Sequence, residues 1–217
     1  MLENVGLNPW VRIWVEPRRT IAAIVKYNPG YLFPLLAAIY GLPMLFHFAQ
    51  NLSLGQNYSL TAIIIVCLIL CALAGTIGIT IVTALLTWTG KWIGGKGSFK
   101  NIRAAVAWSN VPIVINIAMW FVLIGFFGNQ VFLANFPEMA FMGKELGIVS
   151  LVYLIESIMS IWSFIIMLHT LGEVQGFSAW RALLNVIIPF VLVMIAVWII
   201  VVIFMQFGTS GAPQITS

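Results

Sequence analysis

Residues 58–95 read "YSLTAIIIVCLILCALAGTIGITIVTALLTWTGKWIGG", and no charged side chain interrupts the run before Lys91. The hydrocarbon core of a bilayer, about 30 Å thick, is crossed by roughly 20 apolar residues in helical form. At about 1.5 Å per residue this run reaches roughly 45 Å or more, so it must tilt or project at its Lys91 end. Period-two alternation is absent, which argues against a barrel. A spanning segment must then satisfy its backbone hydrogen bonds within its own helix.

Four further apolar runs lie at about 31–50, 106–127, 148–170 and 186–207, beside this one at 60–90. The expected fold is all-α: a polytopic membrane helical bundle of five transmembrane helices, preceded by a short amphipathic N-terminal segment. Composition agrees. The 217 residues are 62% hydrophobic and 7% charged, against roughly 45–50% and about 25% in soluble domains. A surface with so little charge faces lipid.

Orientation follows from the basic residues between the runs. Arg12, Arg18, Arg19 and Lys26 precede the first run; Lys91, Lys96, Lys100 and Arg103 lie between the second and third; Arg181 follows the fourth. Lys144 alone falls on the other side. This predicts a cytoplasmic N-terminus and a C-terminus outside. The expected organisation is a cytoplasmic amphipathic segment at 1–29, a five-span membrane domain at 30–207 and a disordered non-cytoplasmic tail at 208–217. The ten basic residues form no single patch, which excludes nucleic acid as a partner.

Before the first span stands "NPWVRIWVEPRRTIAAIVKYNP" (8–29). Asn8–Pro9 and Glu16–Pro17 read as helix starts, since a polar residue caps the open amides and proline suits the first position. Ile21, Ile24 and Val25 share one face, and Trp10, Ile13 and Trp14 make another. Tryptophan with arginine beside a bilayer is the composition of an interfacial anchor. The expected anchor residues are Trp10, Trp14, Arg12, Arg18 and Arg19. An echo of this segment recurs: "RTIAAIVKYNP" (19–29), "RAAVAWSNVP" (103–112) and "RALLNVIIP" (181–189) each put a proline shortly after an arginine and an apolar stretch. Arginine held at the headgroups of similar span ends accounts for it.

The same pieces resemble the prokaryotic members of the Yip (Ypt/Rab-interacting protein) domain family. The resemblance is carried by residues 8–29, by "GGKGSFKNIRAAVAWSNVP" (94–112) as its glycine-rich loop, and by "LGEVQGFSAWRALLNVIIP" (171–189) as the turn into its fifth span. It implies a five-span integral membrane protein in a prokaryotic cell membrane. Eukaryotic relatives are linked to vesicle trafficking and small Rab-type GTPases through a long cytoplasmic N-terminal region. Only about thirty residues stand there in this chain, without the acidic motif of those relatives, so small-GTPase binding is not carried over.

Glu156, in "LVYLIESIMSIWSF" (151–164), is the one carboxylate well inside a span. Burial there costs roughly 2.5 kcal/mol or more, so it must be protonated, paired or wetted. Tyr153, Ser160 and Ser163 accompany it at helical spacing. Thr76, Thr80, Thr83 and Thr87 line one face of the second span, with Ala74, Gly75 and Gly78 allowing close approach. Asn116 lies seven residues beyond Ser109 in the third. These residues predict a polar site where spans two, three and four meet, acting as polar glue or as an ion route.

His47 and His169 fall near opposite membrane surfaces, and no metal or cofactor site is expected. Cys67 and Cys71, one turn apart, read as packing residues. The "GGKGSFK" loop lacks Walker spacing, and Ser98 as a helix cap explains it. The connection at 128–147 predicts a helical cap on the outer surface. With no catalytic constellation in the sequence, the expectation is a non-enzymatic membrane-organising or partner-binding scaffold, with the bilayer, other membrane proteins or its own copies as partners. The alternative is a small transporter or channel built on Glu156.

Overall fold

A computed structural model describes residues 8–209, with side chains through Met205. The extreme N-terminus and the expected tail from residue 210 lie outside the described residues. The chain runs through α1 (Pro9–Arg12), α2 (Pro17–Tyr27), α3 (Phe33–Asn51), α4 (Leu60–Trp92), α5 (Phe99–Ser109), α6 (Ile113–Phe127), α7 (Phe136–Met142), α8 (Leu146–Gln175) and α9 (Ala179–Thr209). Five segments are long and apolar enough to cross a membrane: α3, α4, α6 with the turn that follows it, α8 and α9.

The starts follow local chemistry. Asn8 accepts the Trp10 amide at 3.1 Å and Pro9 opens α1. Ser59 and Ser98 accept the amides of Ala62 and Asn101, each at 3.3 Å, to begin α4 and α5. Glu16 differs from expectation. Its side chain makes no cap on α2; its carboxylate instead joins Arg12 at 3.0 Å and Arg19 at 3.4 Å. Two nearby guanidiniums outcompete the open amides for it.

The run expected as one span from 106 is split. α5 stops at Ser109, a turn covers Asn110–Pro112, and α6 starts at Ile113. Proline lacks an amide proton and disfavours helical geometry in the residue before it. The freed carbonyl end is occupied by side chains: Asn110 Nδ2 and Ser109 Oγ both donate to Val106 O, at 2.6 and 2.8 Å. α5 thereby becomes a separate helix, almost wholly buried from Ala104 to Ser109.

α3 and α4 form the closest pair. A Cβ on Gly41 would strike the carbonyl of Cys71, and one on Gly75 the carbonyl of Ala37. Small residues give this contact in lipid, where association rests on packing and not on the hydrophobic effect. Cys67 and Cys71 are buried at this seam, and Cys71 Sγ donates to Leu68 O.

The echo in the sequence has a structural counterpart. α2 and α5 have 11 residues each, and each is followed by a proline-containing turn, a span and then a long helix, α4 or α8. The short helices are exchanged: α2 packs on α8, and α5 on α4 as well as α8. The third copy departs from this, because α9 continues through Pro189. Beyond Pro189 and as far as Met205, the side chains of α9 are exposed on nearly every face, with Val202 half-buried.

Two cores result. One, at the end where the basic residues gather, joins Ile13, Ile21 and Ile24 to α5, Leu86, Ile166 and Ala182 around Trp108. The other, at the far end, centres on Phe46, Trp120, Phe132 and Phe136. There α7 forms the expected cap, with Phe136 and Ala140 buried. Gln50 Nε2 donates to Val131 O at 2.8 Å and Asn129 Nδ2 to Gly55 O at 2.6 Å, tying the far-end turns together.

Candidate functional site

Glu156 lies ten residues past the start of α8, roughly 15 Å along the helix. It is half-buried, and its Oε1 is enclosed without a hydrogen-bond partner. Asn116 Oδ1, on α6, has the same condition. Helices α6 and α8 pack together. On one side of these residues Ser163 Oγ donates to Ser109 O at 2.8 Å. On the other, Trp120 and Leu123 share a core with Val149 and Val152. Asn116 and Glu156 both lie between these two points.

The other expected members separate. Ser163 is buried and spent on Ser109, whereas Ser160 faces outward. The Tyr153 ring stacks on Phe141 at 5.5 Å in α7. Thr76, Thr83 and Thr87 each donate to the carbonyl four residues back, at 2.7, 2.6 and 2.6 Å, and so are satisfied within α4. Thr80 is half-buried on the same helix. α4 packs chiefly on α3, α5 and α9, and meets α8 through Gln175 at the basic end. α5 packs on both α4 and α8, and no hydrogen bond joins the threonine row to Glu156.

At the basic end the two expected anchor tryptophans are half-buried against protein, whereas Arg19 is exposed. Trp10 meets Trp108 edge-on at 5.5 Å, and Tyr31 stacks on Trp108 at 6.1 Å. Trp14 packs against the same core. Arg18 pairs with Glu173 at 3.4 Å and donates to Phe177 O at 3.1 Å, fastening α2 to the end of α8. Arg12 and Arg19 share Glu16.

A buried amide network here went unread in the sequence. Gln175 Nε2 donates to Leu86 O at 3.3 Å, and its Oε1 accepts the Gly97 amide at 3.1 Å. The Lys96 amide reaches Gln175 O at 3.1 Å. Asn185 Nδ2 donates to the same Leu86 carbonyl at 3.2 Å and accepts from Thr89 Oγ1 at 2.8 Å. The glycine-rich loop is the cage around this amide: a Cβ on Gly90 or Gly95 would collide with Gln175. Arg181 closes the loop by donating to Ile93 O at 2.7 Å. Asn185 had a legible signal, an amide within an apolar run. Gln175, at a span end, had none.

His47, on α3, sets its ring against Trp120 at 4.9 Å, far from His169 on α8. Among the described residues no group of three or more His, Cys, Asp or Glu is placed to hold a metal ion.

Five apolar spans joined by short polar turns, with isolated buried amides and a lone carboxylate, define a multi-pass α-helical membrane protein. The Yip1 domain model matches residues 11–201, nearly the whole chain. The chain belongs to the Yip1 domain family. No curated protein and no solved structure matches it.

Proposed function

We propose that this chain is a non-enzymatic scaffold of a prokaryotic cell membrane, with its basic end in the cytoplasm and its C-terminus outside, organising the bilayer or holding other membrane proteins. The observation that carries the reading is the buried network of Gln175, Asn185, Thr89 and the glycine loop. It joins the ends of α4 and α8 to the start of α9, while Arg18 adds α2. Such a fully bonded network fixes one geometry of an exposed surface, which suits a platform. The bias of basic residues supports the orientation.

The test is reconstitution in liposomes loaded with a pH-sensitive dye, together with cross-linking in cells from positions on α2 and the 93–98 loop. Flux at the protein-free level, with discrete cross-links that vanish in a Gln175→Ala/Asn185→Ala variant, supports the scaffold. Flux abolished by Glu156→Gln replaces it with a small transporter or channel. That second reading is favoured by one observation, the two enclosed and unpartnered oxygens of Glu156 and Asn116.

A further inference from the structure

A cavity of about 380 Å³ opens between the start of α2 and the last turns of α8, lined by Val15, Glu16, Pro17, Arg18, Arg19 and His169. The scaffold reading gives it no role. We propose that it binds the phosphate of an anionic lipid headgroup from the leaflet at the basic end of the bundle.

The donors are present and only partly engaged. A guanidinium carries five N–H groups in a fork that suits phosphate. Arg19 is 66% exposed and holds only Glu16, at 3.4 Å. Arg18 gives one nitrogen to Glu173 at 3.4 Å and another to Phe177 O. Both ion pairs exceed the roughly 2.7–2.9 Å of strong charge-assisted bonds, so donors remain for a ligand. The His169 ring lines the cavity, and its Nδ1 is enclosed without a partner, so its hydrogen-bonding capacity is not spent within the protein. Glu16 and Glu173 oppose an anion, but Arg12, Arg18 and Arg19 outnumber them, and Arg12 draws on Glu16 at 3.0 Å.

Depth and lining select the lipid over a free anion. His169 lies six residues before the end of a membrane helix, at the level where Arg18 meets Glu173. Val15, 73% exposed, and Pro17 place an apolar wall beside the guanidiniums. A glycerol backbone and its first methylenes use such a wall, whereas inorganic phosphate does not. Basic pockets between membrane helices bind headgroups for this reason.

The test uses the full chain reconstituted in mixed phosphatidylglycerol and phosphatidylcholine, then counts retained lipids by native mass spectrometry. Wild type should retain phosphatidylglycerol several-fold over phosphatidylcholine. An Arg19→Gln/His169→Gln variant should lose that preference, with Arg18 kept because it fastens α2. Should the pair unfold, Arg19→Gln alone decides the matter, its side chain holding only Glu16; it should at least halve the preference. Equal retention of both lipids by wild type, or a preference unchanged in the variants, overturns the proposal. Displacement by millimolar inorganic phosphate also overturns it, and assigns the cavity to a soluble anion.

Discussion

Thr89 and Asn185, on different helices and both fully buried, share a 2.8 Å hydrogen bond from hydroxyl to side-chain carbonyl. Asn185 also donates to Leu86 O, so removing its side chain loses two buried bonds between α9 and α4, although Gln175 Nε2 still reaches Leu86 O and Thr89 Oγ1 still reaches Leu85 O. Each buried bond of this kind contributes about 1 kcal/mol net. Asn185→Leu is therefore expected to lower the thermal midpoint of the protein in nanodiscs by several degrees. A midpoint equal to wild type would remove the network from the stability of the basic end.

The α3–α4 seam predicts a steep size dependence. Gly75→Val is expected to abolish most folded protein, since its side chain would drive into the Ala37 carbonyl. Gly125→Ala is the control: nothing lies within 4 Å of its new Cβ, and it sits in α6, where alanine favours helix by roughly 1 kcal/mol over glycine. Fluorescence-detected size exclusion should show loss of the monodisperse peak for the first and none for the second.

Arg18 fastens α2 to α8 through a side-chain pair and a backbone carbonyl. An exposed ion pair alone contributes about 0–1 kcal/mol, and the bond to Phe177 O adds to it. Arg18→Ala should raise amide exchange across 17–27 several-fold, and Arg19→Ala should leave it unchanged. Equal protection in both variants would mean that Ile13, Ile21 and Ile24 hold the segment without help.

Glu156 and Asn116 lie on helices that pack together, and each has an enclosed oxygen that lacks a donor. Replacing the carboxyl by an amide supplies N–H groups, worth about 1 kcal/mol if one reaches the partner. Glu156→Gln should therefore be as stable as wild type or slightly more so, and Asn116→Leu should cancel the difference in a double-mutant cycle. Additive effects of the two changes would separate the residues.

The sequence by itself determined the class, the five spans and the gathering of basic residues at one end. These depend on the length of apolar runs and on where charge interrupts them, and both are local properties. It also marked Glu156, because a carboxylate is conspicuous in a hydrocarbon run. Tertiary structure alone decided which polar groups meet. The threonine row looked like a partner for Glu156 on helical spacing, yet α4 packs chiefly on α3, α5 and α9, and three of the hydroxyls close on their own helix. Pro112 was visible within the third apolar run, but whether a proline bends a span or frees a buried helix depends on the partners that receive α5. Gln175 stood unmarked among glycines, and its role appears only when two helix ends and a loop converge on one amide. Spacing along a helix tells which residues share a face; which neighbour covers that face is set by packing across the whole bundle.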